Sequence, residues 1–171
     1  MNANRTMKLS TLAAAVGFLV TGAAYALDAN QAEQTVGYEV EGYGVISVSA
    51  NVTGLTISAP LVPGDAPADA TDTGKTYSYS TNKTDQVITA QLNEIMETGL
   101  ALKLTLGTPT GDDAAGTSGG EQTLDNVTAK TLVTGVAGNG SGSIAYTLSA
   151  TTAAAVGATL SKTVTFTITD A

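Results

Sequence analysis

The chain contains no cysteine, no histidine and no tryptophan. Without cysteine no disulfide can staple the fold and no thioether-linked lipid can anchor it. Stability must therefore come from a packed core, from assembly or from bound ions. Without histidine the commonest general base and the commonest transition-metal ligand are missing. Neither a Ser-His-Asp nor a Cys-His constellation can be built. Aromatic residues are only 5% of the chain, with two Phe, so any core is light. Cations are scarce as well: seven Lys and Arg stand against 15 Asp and Glu. A phosphate backbone calls for a basic footprint, so nucleic acid is not an expected partner. Anionic membrane surfaces are disfavoured for the same reason.

Two of the seven cations, Arg5 and Lys8, open the chain. They precede the apolar run TLAAAVGFLVTGAA, Thr11 to Ala24, and then Ala24-Tyr25-Ala26, a small-x-small pattern. This is the layout of an export signal cleaved between Ala26 and Leu27. The run is shorter than the roughly 20 residues of a membrane span. Removing 26 of the 171 residues leaves 145, enough for one domain, with no expected membrane segment. This mature portion holds all 15 acidic side chains and five basic ones (Lys75, Lys83, Lys103, Lys130, Lys162), a net charge of −10. Such acidity suits an exposed, soluble particle.

Apolar and polar residues alternate with period two along most of the mature chain, and helical periodicity is nearly absent. Ile46, Val48, Ala50 and Val52 share a face in VISVSANV; Leu55 and Ile57 do so in LTISA. KTYSYST presents Tyr77 and Tyr79, and QVITAQL presents Ile88, Ala90 and Leu92. LALKLTL lines up four leucines, GSIAYTLSA sets Ile144, Tyr146 and Leu148 inward, and KTVTFTIT does the same with Val164, Phe166 and Ile168. Two short strands are expected around Leu124 and Leu132-Val133, and one helical turn fits NEIMETG before Gly99. Long loops are expected over Leu61–Gly74 and over GTPTGDDAAGTSGGE, and AGNGSGS (Ala137–Ser143) reads as a hairpin turn. Eight or nine short strands at roughly ten-residue spacing are the pattern of a single antiparallel β-sandwich, with a barrel as the alternative.

Little in the sequence points to chemistry. Asp72-Thr73-Gly74 matches the aspartic-protease triplet, but there is no second copy to share the proton, and a turn explains it as well. Asp65, Asp69, Asp72, Asp112 and Asp113 crowd the two loops without the spacing of a calcium loop. No catalytic residue, cofactor site or metal site is assigned on this reading. Asn51, Asn82, Asn126 and Asn139 head four N-glycosylation sequons, so glycans are candidate decorations.

The segment QAEQTVGYEV begins five residues after the cleavage point. It alternates Val36, Tyr38 and Val40 against Thr35, Gly37 and Glu39, and Gly42 and Gly44 follow as a hinge. Such a strand pairs either within its own domain, giving a monomeric secreted surface or adhesive module, or with a neighbouring molecule. In the second case Thr35, Val36, Tyr38 and Val40 form a donor strand. Main-chain bonds then give affinity and alternate side chains fill pockets.

The succession of an export signal, QTVGYEVEGYGVISVSANVTGLTIS, SYSTNKTDQVITAQL, GLALKLTL and IAYTLSA…TVTFTITD resembles secreted fimbrial subunits assembled by donor-strand complementation. The likeness is to TasA-like and archaeal bundling-pilus subunits, and more loosely to chaperone–usher and spore-coat-U-like ones. It implies an Ig-like or jelly-roll sandwich over residues 42–171, a donor strand over 27–41, and identical subunits as partners in an extracellular, cell-surface filament. The chain lacks the Cys pair and near-terminal Tyr common in the chaperone-dependent members, so no dedicated chaperone is implied.

Overall fold

The computed structural model describes residues 32–155 and 160–171. The expected export signal of residues 1–26, its expected cleavage point at Ala26-Leu27 and the first residues of the expected donor strand lie outside the described part.

Among the described residues the protein is all-β, without a helix. Seven strands form one antiparallel sheet: β1 Gly44–Val48, β2 Ala70–Leu92, β3 Leu100–Leu106, β4 Ala115–Ser118, β5 Gln122–Thr123, β6 Lys130–Ala150 and β7 Val164–Asp170. Two long strands dominate. β2 and β6 pair with each other from Ala70↔Leu148 through to Ala90↔Lys130 and make a central ribbon. Shorter strands lie end to end along each side of it. On the outer side of β2, β1 pairs residues 77–81 and β7 pairs residues 86–92. On the outer side of β6, β3 pairs residues 144–150 and β4 pairs residues 133–137. β5 adds to β3.

The merger of expected strands has a local cause. Tyr77, Tyr79 and Thr81 are buried, as are Gln86, Ile88, Ala90 and Leu92. Two residues separate each neighbour within these groups, but five separate Thr81 from Gln86. A strand keeps one face inward only in steps of two, so an irregularity must reset the phase. The register shifts there, and Asp85 takes φ 58°. KTYSYST and QVITAQL are thus halves of one strand rather than two strands. β6 likewise joins the weak Leu132-Val133 strand to GSIAYTLSA.

The sequence reading of AGNGSGS as a hairpin is corrected: Ala137–Ser143 lies inside β6. Its glycines serve packing. Tyr77 pairs with Gly142 and Tyr79 with Gly140 across the ladder. A Cβ on Gly142 would sit 2.6 Å from the Tyr77 ring, and one on Gly140 2.7 Å from the Tyr79 hydroxyl. The two rings stack at a centroid distance of 6.4 Å, and their hydroxyls donate to the Gly107 and Ala115 carbonyls at 2.6 and 2.7 Å.

Other expectations shift by smaller amounts. The first long loop ends at Ala70, so Asp72-Thr73-Gly74 lies in β2 at a register shift, with the Gly74 amide donating to Asp72 Oδ1 at 2.9 Å. The second contains β4. Residues 93–99 form bends and a turn instead of a helical turn, and LTISA contributes only the Ser58↔Ala68 bridge. Of the four leucines expected on one face of β3, Leu102, Leu104 and Leu106 are buried and Leu100 is half-buried. Residues from both halves of β2 and of β6, with β3 and Leu124, form one buried cluster.

Candidate assembly surface

The buried core comes from β2, β3, β6 and Leu124. On the β6 side β3 and the segment from Gly119 to Asp125 lie against it. The Gly119 amide bonds to the Leu132 carbonyl (2.8 Å), the Leu124 amide to Leu102 (2.9 Å) and the Leu92 amide to Asp125 (3.0 Å), which holds Leu124 over the leucines. No residue of β1 or β7 is buried. Ile46 on β1, Leu55 beyond it, and Val164, Phe166 and Ile168 on β7 pack against the cluster only in part. Among the described residues β7 pairs with β2 alone. A sheet edge of this kind presents unpaired N–H and C=O groups.

β7 is pinned at both ends. Lys83 Nζ lies 3.1 Å from Asp170 Oδ1, and the Gln86 amide nitrogen also donates to Asp170 at 3.1 Å. Lys83, then Gln86, hold the Asp170 carboxyl below its ordinary range. At the other end Lys162 pairs with Glu97 (2.9 Å) and Glu94 (3.4 Å), and the Thr163 amide donates to Asn93 Oδ1 at 2.8 Å. The hydrogen bond it donates to the Glu97 carboxylate is the main reason the Lys162 ammonium is held above its usual value.

β1 ends abruptly at its N-terminal side. The side chain of Asn82 accepts from the Tyr43 amide and donates to the Glu41 carbonyl, both at 2.8 Å, and the Thr81 hydroxyl donates to the Tyr43 carbonyl at 2.7 Å. Gly44 lies close to Gln86 here: a Cβ at this position would lie 2.9 Å from the Gln86 amide oxygen. That oxygen is buried without a hydrogen-bond partner among the described residues.

Residues 32–43 carry no strand, and residues 32–45 are exposed throughout. Val36 is 72%, Tyr38 91% and Val40 78% exposed. The described residues of the expected donor strand therefore lie outside any strand, with the side chains of Val36, Tyr38 and Val40 in solvent. Asn51, Asn82 and Asn139 are exposed and Asn126 is half-buried. Asn82 is also the cap of β1, a role that its reading as a sequon did not reveal. Asn139 accepts from the Ser80 hydroxyl.

Among the described residues no group of three His, Cys, Asp or Glu side chains is placed to hold a metal, and no helix is long and apolar enough to cross a membrane. Asp112 and Asp113 lie beside a shallow, open hollow lined by Tyr79, Gly111 and Ser141. No family model matches the chain, and no curated protein matches it significantly.

Proposed function

We propose that this protein is the structural subunit of an extracellular filament, and that each subunit lends residues 27–41 to the sheet of the next. The single observation that carries this reading is that the edge strand β7 keeps its core-packed side chains only half-buried while the leading segment holds Val36, Tyr38 and Val40 in solvent. An exposed apolar run at strand period and an unpaired sheet edge are each aggregation hazards unless they have partners. Addition of a donated strand removes both liabilities at once. In this reading the sheet, bent at 81–86 and again near Gly135 and Gly138, whose φ values are +65° and +68°, closes on itself as a sandwich. The export signal delivers the subunit to the cell surface, and head-to-tail donation propagates as an open fibre.

The test is electron microscopy and sedimentation of the chain beginning at Leu27, compared with the same chain lacking residues 27–41. The intact chain should form fibres. The shortened one should stay single yet keep its β-sheet circular dichroism, because every buried core residue lies beyond Tyr43. An intact chain that remains monomeric at high concentration, with the leading segment in its own sheet, would leave the surface-module reading instead. Closed dimers alone would replace the fibre with reciprocal exchange.

A further inference from the structure

We infer that the receiving site is the outer edge of β7, floored by Val164, Phe166 and Ile168, and that its occupant is residues 35–41 of a second copy of this chain. This inference rests on the filament reading above.

The ladder of β1 cannot be prolonged toward its N-terminus. Gly44 stands opposite Thr81, so earlier residues would have to run past Asn82 toward Gln86. β7 already occupies β2 from Gln86 onward. Asn82 closes the ladder at this boundary by taking the Tyr43 amide and the Glu41 carbonyl on its side chain. The lane collinear with β1 is thus filled, and a strand built from residues 35–41 needs another edge.

Four strands pair on one side only among the described residues, and β2 is open on its outer side over Ala70–Lys75, which holds no large apolar side chain. β4 (AGTS) and β5 (QT) are short and hold no large apolar side chain. β1 has five residues, of which Ile46 alone packs on the core. β7 has seven residues with three core-packed side chains at alternate positions. That matches an incoming segment of seven residues with Val36, Tyr38 and Val40 at the same spacing.

The backbone of β7 is oriented to receive it. The Asn93 amide donates to the Thr163 carbonyl at 2.9 Å, which turns Thr163, and by alternation Thr165, Thr167 and Thr169, toward β2. Val164, Phe166 and Ile168 then direct their own N–H and C=O groups outward. The residues offering the floor of the groove also offer its hydrogen bonds. On the opposite face Glu39 of the incoming strand meets the hydroxyls of Thr165, Thr167 and Thr169, and Asp170 is already paired with Lys83.

Because the chain has no cysteine, engineered thiols can test the register. One population carries Thr167→Cys, and a second carries Thr35→Cys, Gly37→Cys or Glu39→Cys. Positions on one face of adjacent strands come within disulfide reach. Mixed, assembled and oxidised with diamide, one of the three arm variants should form an interchain disulfide with Thr167→Cys, and none should form one with Ser47→Cys on β1. Fibres that cross-link at Ser47→Cys, or at neither position, would overturn the β7 site while leaving the filament reading intact. A cross-link within a single chain carrying both thiols, or no fibre at all, would overturn both.

Discussion

Replacing Gly142 by Ala should destabilise this protein, against the usual preference of a strand for alanine. The added methyl would lie 2.6 Å from Cε1 and 2.9 Å from the hydroxyl oxygen of Tyr77. That ring has little freedom: it is 1% exposed, stacks on Tyr79, and donates to the Gly107 carbonyl at 2.6 Å. Forcing an extra methyl into a packed core costs about 1–3 kcal/mol, and disrupting a buried hydrogen bond adds about 1 kcal/mol. Alanine returns about 0.5–1 kcal/mol over glycine in a strand, leaving a net loss of about 1–3 kcal/mol. For a domain of this size, with a urea slope of roughly 1–3 kcal/mol per molar, the midpoint should fall by about 1 M. Urea unfolding of the shortened, monomeric chain followed by circular dichroism measures this directly. Gly74→Ala, whose added methyl would meet nothing nearer than Asp72 Oδ1 at 3.8 Å, serves as the control. In a Tyr77→Leu background the cost of Gly142→Ala should largely disappear, a coupling of about 1 kcal/mol or more between touching residues. A Gly142→Ala variant as stable as the parent, or a penalty that survives removal of the Tyr77 ring, would refute the packing argument.

Two further outcomes are expected. Burial, with a smaller effect from Tyr79, pushes the Tyr77 hydroxyl up to about 12, and burial, then the Asp72 charge, does the same for Tyr146. Both groups have a folded value above the ordinary tyrosine value near 10, so the stability they contribute is fully present below pH ~10 and is lost as pH rises toward about 12. The tyrosinate ultraviolet absorbance should therefore show a late phase that coincides with loss of β-sheet signal; complete ionisation by pH ~10.5 with the fold intact would contradict this. At the bend of β2, Asp85→Val should cost about 1–2 kcal/mol, because φ 58° crowds a β-branched side chain, whereas Asp85→Gly should be neutral or slightly stabilising in thermal unfolding.

Several features could be read directly from residue order. The inward faces of KTYSYST, QVITAQL and LALKLTL follow from alternation, and Tyr77, Tyr79, Ile88, Ala90, Leu92 and the three leucines of β3 are buried accordingly. The candidate assembly surface was only half legible. Val36, Tyr38 and Val40 stand out by their period, but nothing in the spacing of Val164, Phe166 and Ile168 distinguishes an open edge strand from an enclosed one. That difference depends on which strand lies on the far side. Asn82 and Gln86 were illegible for a related reason. One caps β1 and the other holds Asp170, and both contacts join residues about 40 to 80 positions apart in the chain.

The all-β class was thus determined locally, because each strand face depends only on the identity of residues two apart. The absence of disulfides and of histidine- or cysteine-based sites was determined by composition, since missing side chains cannot be supplied by folding. Tertiary structure alone decided that four expected strands are two long ones, that glycines 140 and 142 make room for tyrosine rings, and that β1 and β7 share one lane along β2. Those outcomes depend on register, and register is set by which distant residues meet, a quantity no local pattern contains.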